Sequence, residues 1–256
     1  MSIAPSIRKS LVLVKDRWLR RLPPYGDLDP KFPATWVDGR TCASKYWGFC
    51  YVRIPKCANS TVLRTLIEHD ERMLKPLGEY DSLKAKSEAY SRLSSLSLRR
   101  AVLLRRINYF SVVRDPMSRL VSAYREKILE GKAQKYRVAS FYGIQADENI
   151  CFERFLAYLE AGGLYEDPHW LPQSEFLTGV MKENLMLGKV ESLEDDLRYI
   201  VHVLFGESPW RGVKSWIPHK GNEKKFSVGD LSVNQKSRVR AMYERDYELL
   251  ESAYFV

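Results

Sequence analysis

The chain has 256 residues, 45% of them hydrophobic and 29% charged, which excludes a disordered chain and supplies one sizeable α/β domain or two small ones. Its formal charge of +9 asks for an anionic partner without naming one, since nucleic acid, anionic lipid, a nucleotide and an acidic glycan all qualify. Four cysteines (Cys42, Cys50, Cys57, Cys151) without a CxxC pair argue against a metal centre, and no apolar run nears the roughly 20 residues that span a bilayer.

Ile7, Leu11, Val14 and Trp18 recur at helical spacing with Arg8, Lys9 and Lys15 between them. This predicts a basic N-terminal helix, either packed on the domain or touching an anionic membrane surface. Lys15, Arg17, Arg20 and Arg21 interrupt any signal-peptide core, so a cytoplasmic placement is expected, with membrane association as an alternative. Residues 22–48 are rich in Pro and Gly and read as an irregular lead-in. The domain organisation is therefore a helix and lead-in over 1–48 and one α/β domain over 49–256.

Within that domain, Phe49–Ile54, Tyr109–Val113 and Leu185–Val190 read as strands, with Gly212–Ile217 a weaker fourth. Ser60–His69, Pro116–Leu129, Leu193–Phe205 and Ser232–Tyr254 carry apolar residues at intervals of three and four and read as helices. The alternation predicts a central, mostly parallel sheet flanked by helices, with ligands beyond the carboxyl ends of its strands. Residues 70–106 read as a helical excursion. Its Arg99, Arg100, Arg105 and Arg106 are either a solvated face or a contact for an acidic substrate.

Two segments carry chemistry. YVRIPKCANSTVLRTL (Tyr51–Leu66) runs from strand through a tight turn to a helix. Pro55 ends the strand, Ala58 lets backbone approach a ligand, and Asn59, Ser60 and Thr61 are N-cap types. The helix start favours an anion, and Lys56 adds a mobile positive charge. The Walker pattern GxxxxGK[ST] is absent, so no Walker-type Mg²⁺ site follows. SVVRDPMSRLVSAYREK (Ser111–Lys127) repeats the strand–turn–helix plan, with Asp115 as N-cap and Pro116 at the first helical position. Arg114 at the strand tip and Ser122 two turns into the helix are expected to converge on a second anion. Two loops of this kind suit a nucleotide with phosphates at two places.

IPKCANST resembles the 5′-phosphosulfate loop of sulfotransferases that use 3′-phosphoadenosine 5′-phosphosulfate (PAPS), and VVRDPMSRLVSAYREK resembles their 3′-phosphate segment. DPHWLPQSEFL (Asp167–Leu177) and GKVESLEDDL (Gly188–Leu197) resemble later segments of the carbohydrate branch. The resemblance spans about residues 49–250. It implies a single α/β domain with a P-loop-like nucleotide-binding core, PAPS as donor, no metal, and a hydroxyl acceptor on a glycan or glycolipid. By position, Lys56, Cys57, Ala58, Asn59, Ser60 and Thr61 would hold the 5′-phosphosulfate. Arg114 and Ser122 would hold the 3′-phosphate. The Gly-rich segment of the cytosolic branch has no clear match, and Lys220 and Asn222 in PHKGNEKKF are its nearest substitutes.

Lys56 is then placed to stabilise the leaving phosphate, and His169 is the chosen base for the acceptor hydroxyl, with Glu126 or Glu175 as alternatives. His69 and His202 read as structural. Trp170, Trp210 and Trp216 are either sugar platforms or core. Two other functions compete: a nucleotide-dependent phosphotransferase of similar fold, and a basic nucleic-acid-binding protein. The missing Walker motif weighs against the first. The dispersal of basic residues along the chain weighs against the second, so no nucleic-acid partner is expected.

Overall fold

The computed structural model describes residues 5–72, 89–95, 107–181, 185–206, 210–213 and 226–251, with side chains from Ser10 onward. Helix α1 (Pro5–Leu19) is present as expected, but two residues of its apolar stripe face solvent: Leu11 is 55% exposed and Val14 69%. The helix is held instead at its end, where Leu19 is buried and Lys15 pairs with the buried Asp38 at 3.0 Å. Arg20 then pins the lead-in by donating to the carbonyls of Leu28 and Phe32. No helix among the described residues is long and apolar enough to cross a membrane.

The lead-in contains more order than its composition suggests. Helix α2 (Ala34–Asp38) precedes strand β1 (Thr41–Ser44), which pairs antiparallel with β2 (Phe49–Val52) across a tight turn. Gly48 closes that turn at φ 66°, where a side chain would be strained. Thr41–Ser44 lacks a run of branched or aromatic residues, so nothing in its composition marks it as a strand. Next come α3 (Asn59–His69), β3 (Asn108–Val113), α4 (Pro116–Tyr124), α5 (Ala133–Tyr142) and α6 (Phe152–Glu160). The chain continues with α7 (Gln173–Leu177), β4 (Leu185–Lys189), α8 (Leu193–Phe205), α9 (Val233–Met242) and α10 (Glu244–Glu251).

The sheet order is β1-β2-β3-β4, with β2, β3 and β4 parallel; Phe49 faces Asn108 and Tyr109 faces Leu185. β1 and β2 are buried throughout and β3 and β4 nearly so, as a parallel sheet covered on both faces requires. Cys50, Val52, Tyr109, Val113 and Leu187 face one core with Tyr25, Phe32, Phe176 and Leu249. Phe49, Tyr51, Phe110 and Val112 face the other, against Leu63 and Leu66 of α3 and Leu197 and Ile200 of α8. A third core gathers α4, α5, α6 and α9 around the buried Trp170. The chain is thus a single α/β domain of the P-loop-like kind.

Two helices depart from the sequence reading, and β2 ends at Val52 rather than Ile54. The predicted helix over Pro116–Leu129 is α-helical to Tyr124 and then widens into a π-turn over Arg125–Leu129. The predicted C-terminal helix breaks at Tyr243, which leaves helical geometry at φ −115°. Most of the predicted strand Gly212–Ile217 and the arginine cluster from Arg99 to Arg106 lie outside the described residues.

Candidate active site

The loop after β2 carries two left-handed residues without being glycine: Lys56 at φ 71° and Ala58 at φ 50°. Each conformation costs about 1–2 kcal/mol, which the surrounding fold must hold. Such turns aim successive N–H groups at one point and form an anion-binding concavity. Ala58 is the N-cap of α3 and has no polar side chain to cap it, so the helix's positive end remains for an anion. Asn59, expected as a cap, instead accepts a hydrogen bond from the Tyr51 hydroxyl at 3.0 Å.

Lys56, Ala58, Asn59, Ser60 and Thr61 line one open cavity of about 490 Å³. Cys57 does not join them. Its thiol is fully buried, donates to Gln173 Oε1 at 3.2 Å, and is pushed up by that burial to about 12. His169 and Glu126 line the same cavity, as do Arg40 and Arg53.

The second loop folds as expected at its start. Asp115 caps α4 by accepting from the Ser118 amide at 2.7 Å, and Pro116 takes the first helical position. Arg114 lies behind the Lys56 loop and outside the cavity lining, its guanidinium 3.5 Å from the Lys56 carbonyl. Its backbone is clasped by Gln173, which accepts from the Arg114 amide at 2.9 Å and donates to its carbonyl at 2.8 Å. Ser122 is half-buried and also outside the lining. Lys220 and Asn222 lie outside the described residues.

One helical arginine joins the two parts of the site. Arg119 is fully buried and donates to the carbonyls of Pro55 at 2.9 Å, Leu171 at 2.8 Å and Pro168 at 3.4 Å. It therefore ties the residue before Lys56 to the turn that carries His169.

That turn begins at Asp167, which is buried and accepts from both the His169 amide at 2.9 Å and the His169 Nδ1 at 2.6 Å. Gln134 donates to its other oxygen at 3.2 Å. Burial pushes the Asp167 carboxyl up, but the hydrogen bonds from His169 and Gln134 outweigh it and hold it below its ordinary value. An ionised carboxylate only accepts, so Nδ1 carries the proton. Burial also pulls His169 below its ordinary 6.5, and the Asp167 contact offsets only part of this. The ring is thus neutral at pH 7, with Nε2 unprotonated and able to take a proton.

Glu126 is a poor base. Burial pushes its carboxyl up, but Lys127 and Lys56 outweigh burial and hold it at about 2. Glu175 is buried on α7 beside Arg245 and outside the cavity lining. His69 is buried in the core, with Nδ1 donating to the Thr65 carbonyl and Nε2 accepting from the Arg211 amide, while His202 is exposed on α8. Trp170 is core and donates to the Gly163 carbonyl at 2.8 Å. Trp210 stacks on His69. Among the described residues no cluster could hold a metal ion.

Carbohydrate sulfotransferase 11 of Danio rerio is 28% identical over 158 residues, covering 54% of this chain and 45% of that protein. The match thus spans less than half the length of that relative. No solved structure matches. The profile of the sulfotransferase family matches residues 41–254, from β1 past the end of α10. By that match the chain belongs to the sulfotransferase family.

Proposed function

We propose that this sulfotransferase moves a sulfuryl group from PAPS to a hydroxyl of a carbohydrate or glycoconjugate acceptor. The observation that carries the reading is the meeting of a strained cationic loop and a carboxylate-held histidine on one cavity. The anion-facing end of α3, with Lys56, Ser60 and Thr61, fits the phosphosulfate end of such a donor. Arg114 and Ser122 would take the 3′-phosphate, which requires the Arg114 side chain to turn from the Lys56 carbonyl. The name of the Danio rerio relative supports a carbohydrate acceptor.

The donor supplies an activated sulfuryl group and a phosphate leaving group. The chain's own residues have three tasks. His169 Nε2 takes the proton of the acceptor hydroxyl as its oxygen bonds to sulfur, and Asp167 steadies the imidazolium that forms. Lys56 and the start of α3 neutralise the charge that builds on the departing phosphate oxygen. Arg119 keeps the two groups in register across the cavity.

The test is transfer from sulfur-labelled PAPS to a panel of polysaccharides, glycolipids and small alcohols. Label in a glycan with equal release of adenosine 3′,5′-bisphosphate is expected. Transfer from ATP with Mg²⁺, and none from PAPS, would overturn the reading.

A further inference from the structure

Glu126 carries a charge that the reaction does not use. The π-turn sets it on the cavity wall, where Oε2 accepts from Lys56 Nζ and Oε1 from Lys127 Nζ at 2.6 Å. Both lysines are mostly buried, at 15% and 14% exposure, while the carboxylate is 38% exposed. Among the described residues neither lysine has another acidic partner.

A fixed negative charge is out of place on the wall of a cavity that takes an anion. It occupies the ammonium that the anion needs, and it repels the anion directly. A site built only for affinity would leave Lys56 unopposed. Lys127 sharpens the point: it grips the other carboxylate oxygen, so Glu126 stays on the wall when Lys56 turns away from it.

We propose that Glu126 is a resident counter-ion that competes with the nucleotide's phosphate for Lys56 and so hastens departure of adenosine 3′,5′-bisphosphate after each transfer. The inference rests on the donor reading above. Product departure limits turnover in many enzymes, and a built-in competitor for the phosphate's main cation shortens that step. The exchange is between two ion pairs, Lys56 with Glu126 and Lys56 with phosphate, so no proton or covalent bond changes hands.

The experiment titrates adenosine 3′,5′-bisphosphate into the wild-type chain and Glu126→Gln by calorimetry, and measures dissociation by stopped flow. The substitution keeps the shape and hydrogen-bonding reach of a partly exposed side chain, so folding persists, and thermal unfolding checks this. Glu126→Gln is expected to bind about 5-fold tighter or more, chiefly through slower dissociation. A side chain with a merely structural role does not raise affinity when it is changed. Equal or weaker binding by Glu126→Gln, with the wild type binding normally, overturns this inference alone. A wild-type chain that ignores adenosine 3′,5′-bisphosphate and binds ATP instead overturns the donor reading, and this inference with it.

Discussion

Replacing Arg119 with Met tests how the two halves of the site are held together. The side chain is 0% exposed, and two of its hydrogen bonds are short, to Pro55 at 2.9 Å and Leu171 at 2.8 Å. The third, to Pro168 at 3.4 Å, is too long to count for much. Met fills similar space without donors and leaves two carbonyls orphaned, at about 1–3 kcal/mol each. The expected loss is about 2–6 kcal/mol, less whatever is recovered by no longer burying a charge. In a domain of this size each kcal/mol moves the melting temperature about 2–4 °C, so a fall on the order of 10 °C is expected. Turnover should fall further than affinity for adenosine 3′,5′-bisphosphate. The Lys56 loop keeps β2 and α3 as supports, whereas its register with His169 is lost, and a displacement of about 1 Å can cost about 10²-fold in rate. Thermal unfolding, calorimetric binding and initial rates on the same preparation measure all three. A variant that melts within about 2 °C of wild type and turns over normally would refute the reasoning.

His169→Ala should lower turnover by about 10²-fold or more while leaving nucleotide affinity nearly intact, as initial rates and calorimetry would show. In the wild type the rate should fall on the acid side as His169 gains its proton. Its pKa is depressed, so the half-maximal point should lie below pH 6.5 in a pH–rate profile. Asp167→Asn removes the main contribution that raises the ring's pKa and lets an amide donate to Nδ1, so turnover should drop without a matching loss of binding. Lys56→Met should weaken binding of adenosine 3′,5′-bisphosphate about 10-fold or more in the same calorimetric titration. Asp246→Ala removes the buried acceptor of the Gln173 and Ser174 amides, both at 2.8 Å, and should destabilise the domain by about 2–4 kcal/mol in urea unfolding.

Much of this site was legible before any fold was known, because its physics is local. A lysine and small residues between a strand and a helix start predict a tight turn that suits an anion, and the turn is there, although β2 ends at Val52 rather than at Pro55. Asp115 and Pro116 likewise cap their helix as their spacing predicts. Arg119 was not legible. On α4 it looks like one more arginine among apolar residues, and its partners are carbonyls brought to it by the third core. Asp167 was visible beside His169, but its role depends on a turn that folds the carboxylate back onto the ring. Cys57 sits in the middle of the loop motif, and only the packing against Gln173 reveals that its side chain points away. Glu126 looked like a candidate base until Lys56 and Lys127 closed on it. β1 escaped because four small residues, of which Thr41 alone is β-branched, become a strand only when β2 lies beside them.

The carboxylate of Asp246 bears on the order of events during synthesis. It caps α7 from a helix 73 residues further along the chain, and Gln173 at that cap in turn clasps Arg114 and receives the Cys57 thiol. A ribosome therefore delivers the Lys56 loop, the Arg114 loop and the His169 turn well before the residue that locks them. Until then the nascent chain holds its site half-assembled, with the α7 amides lacking their acceptor.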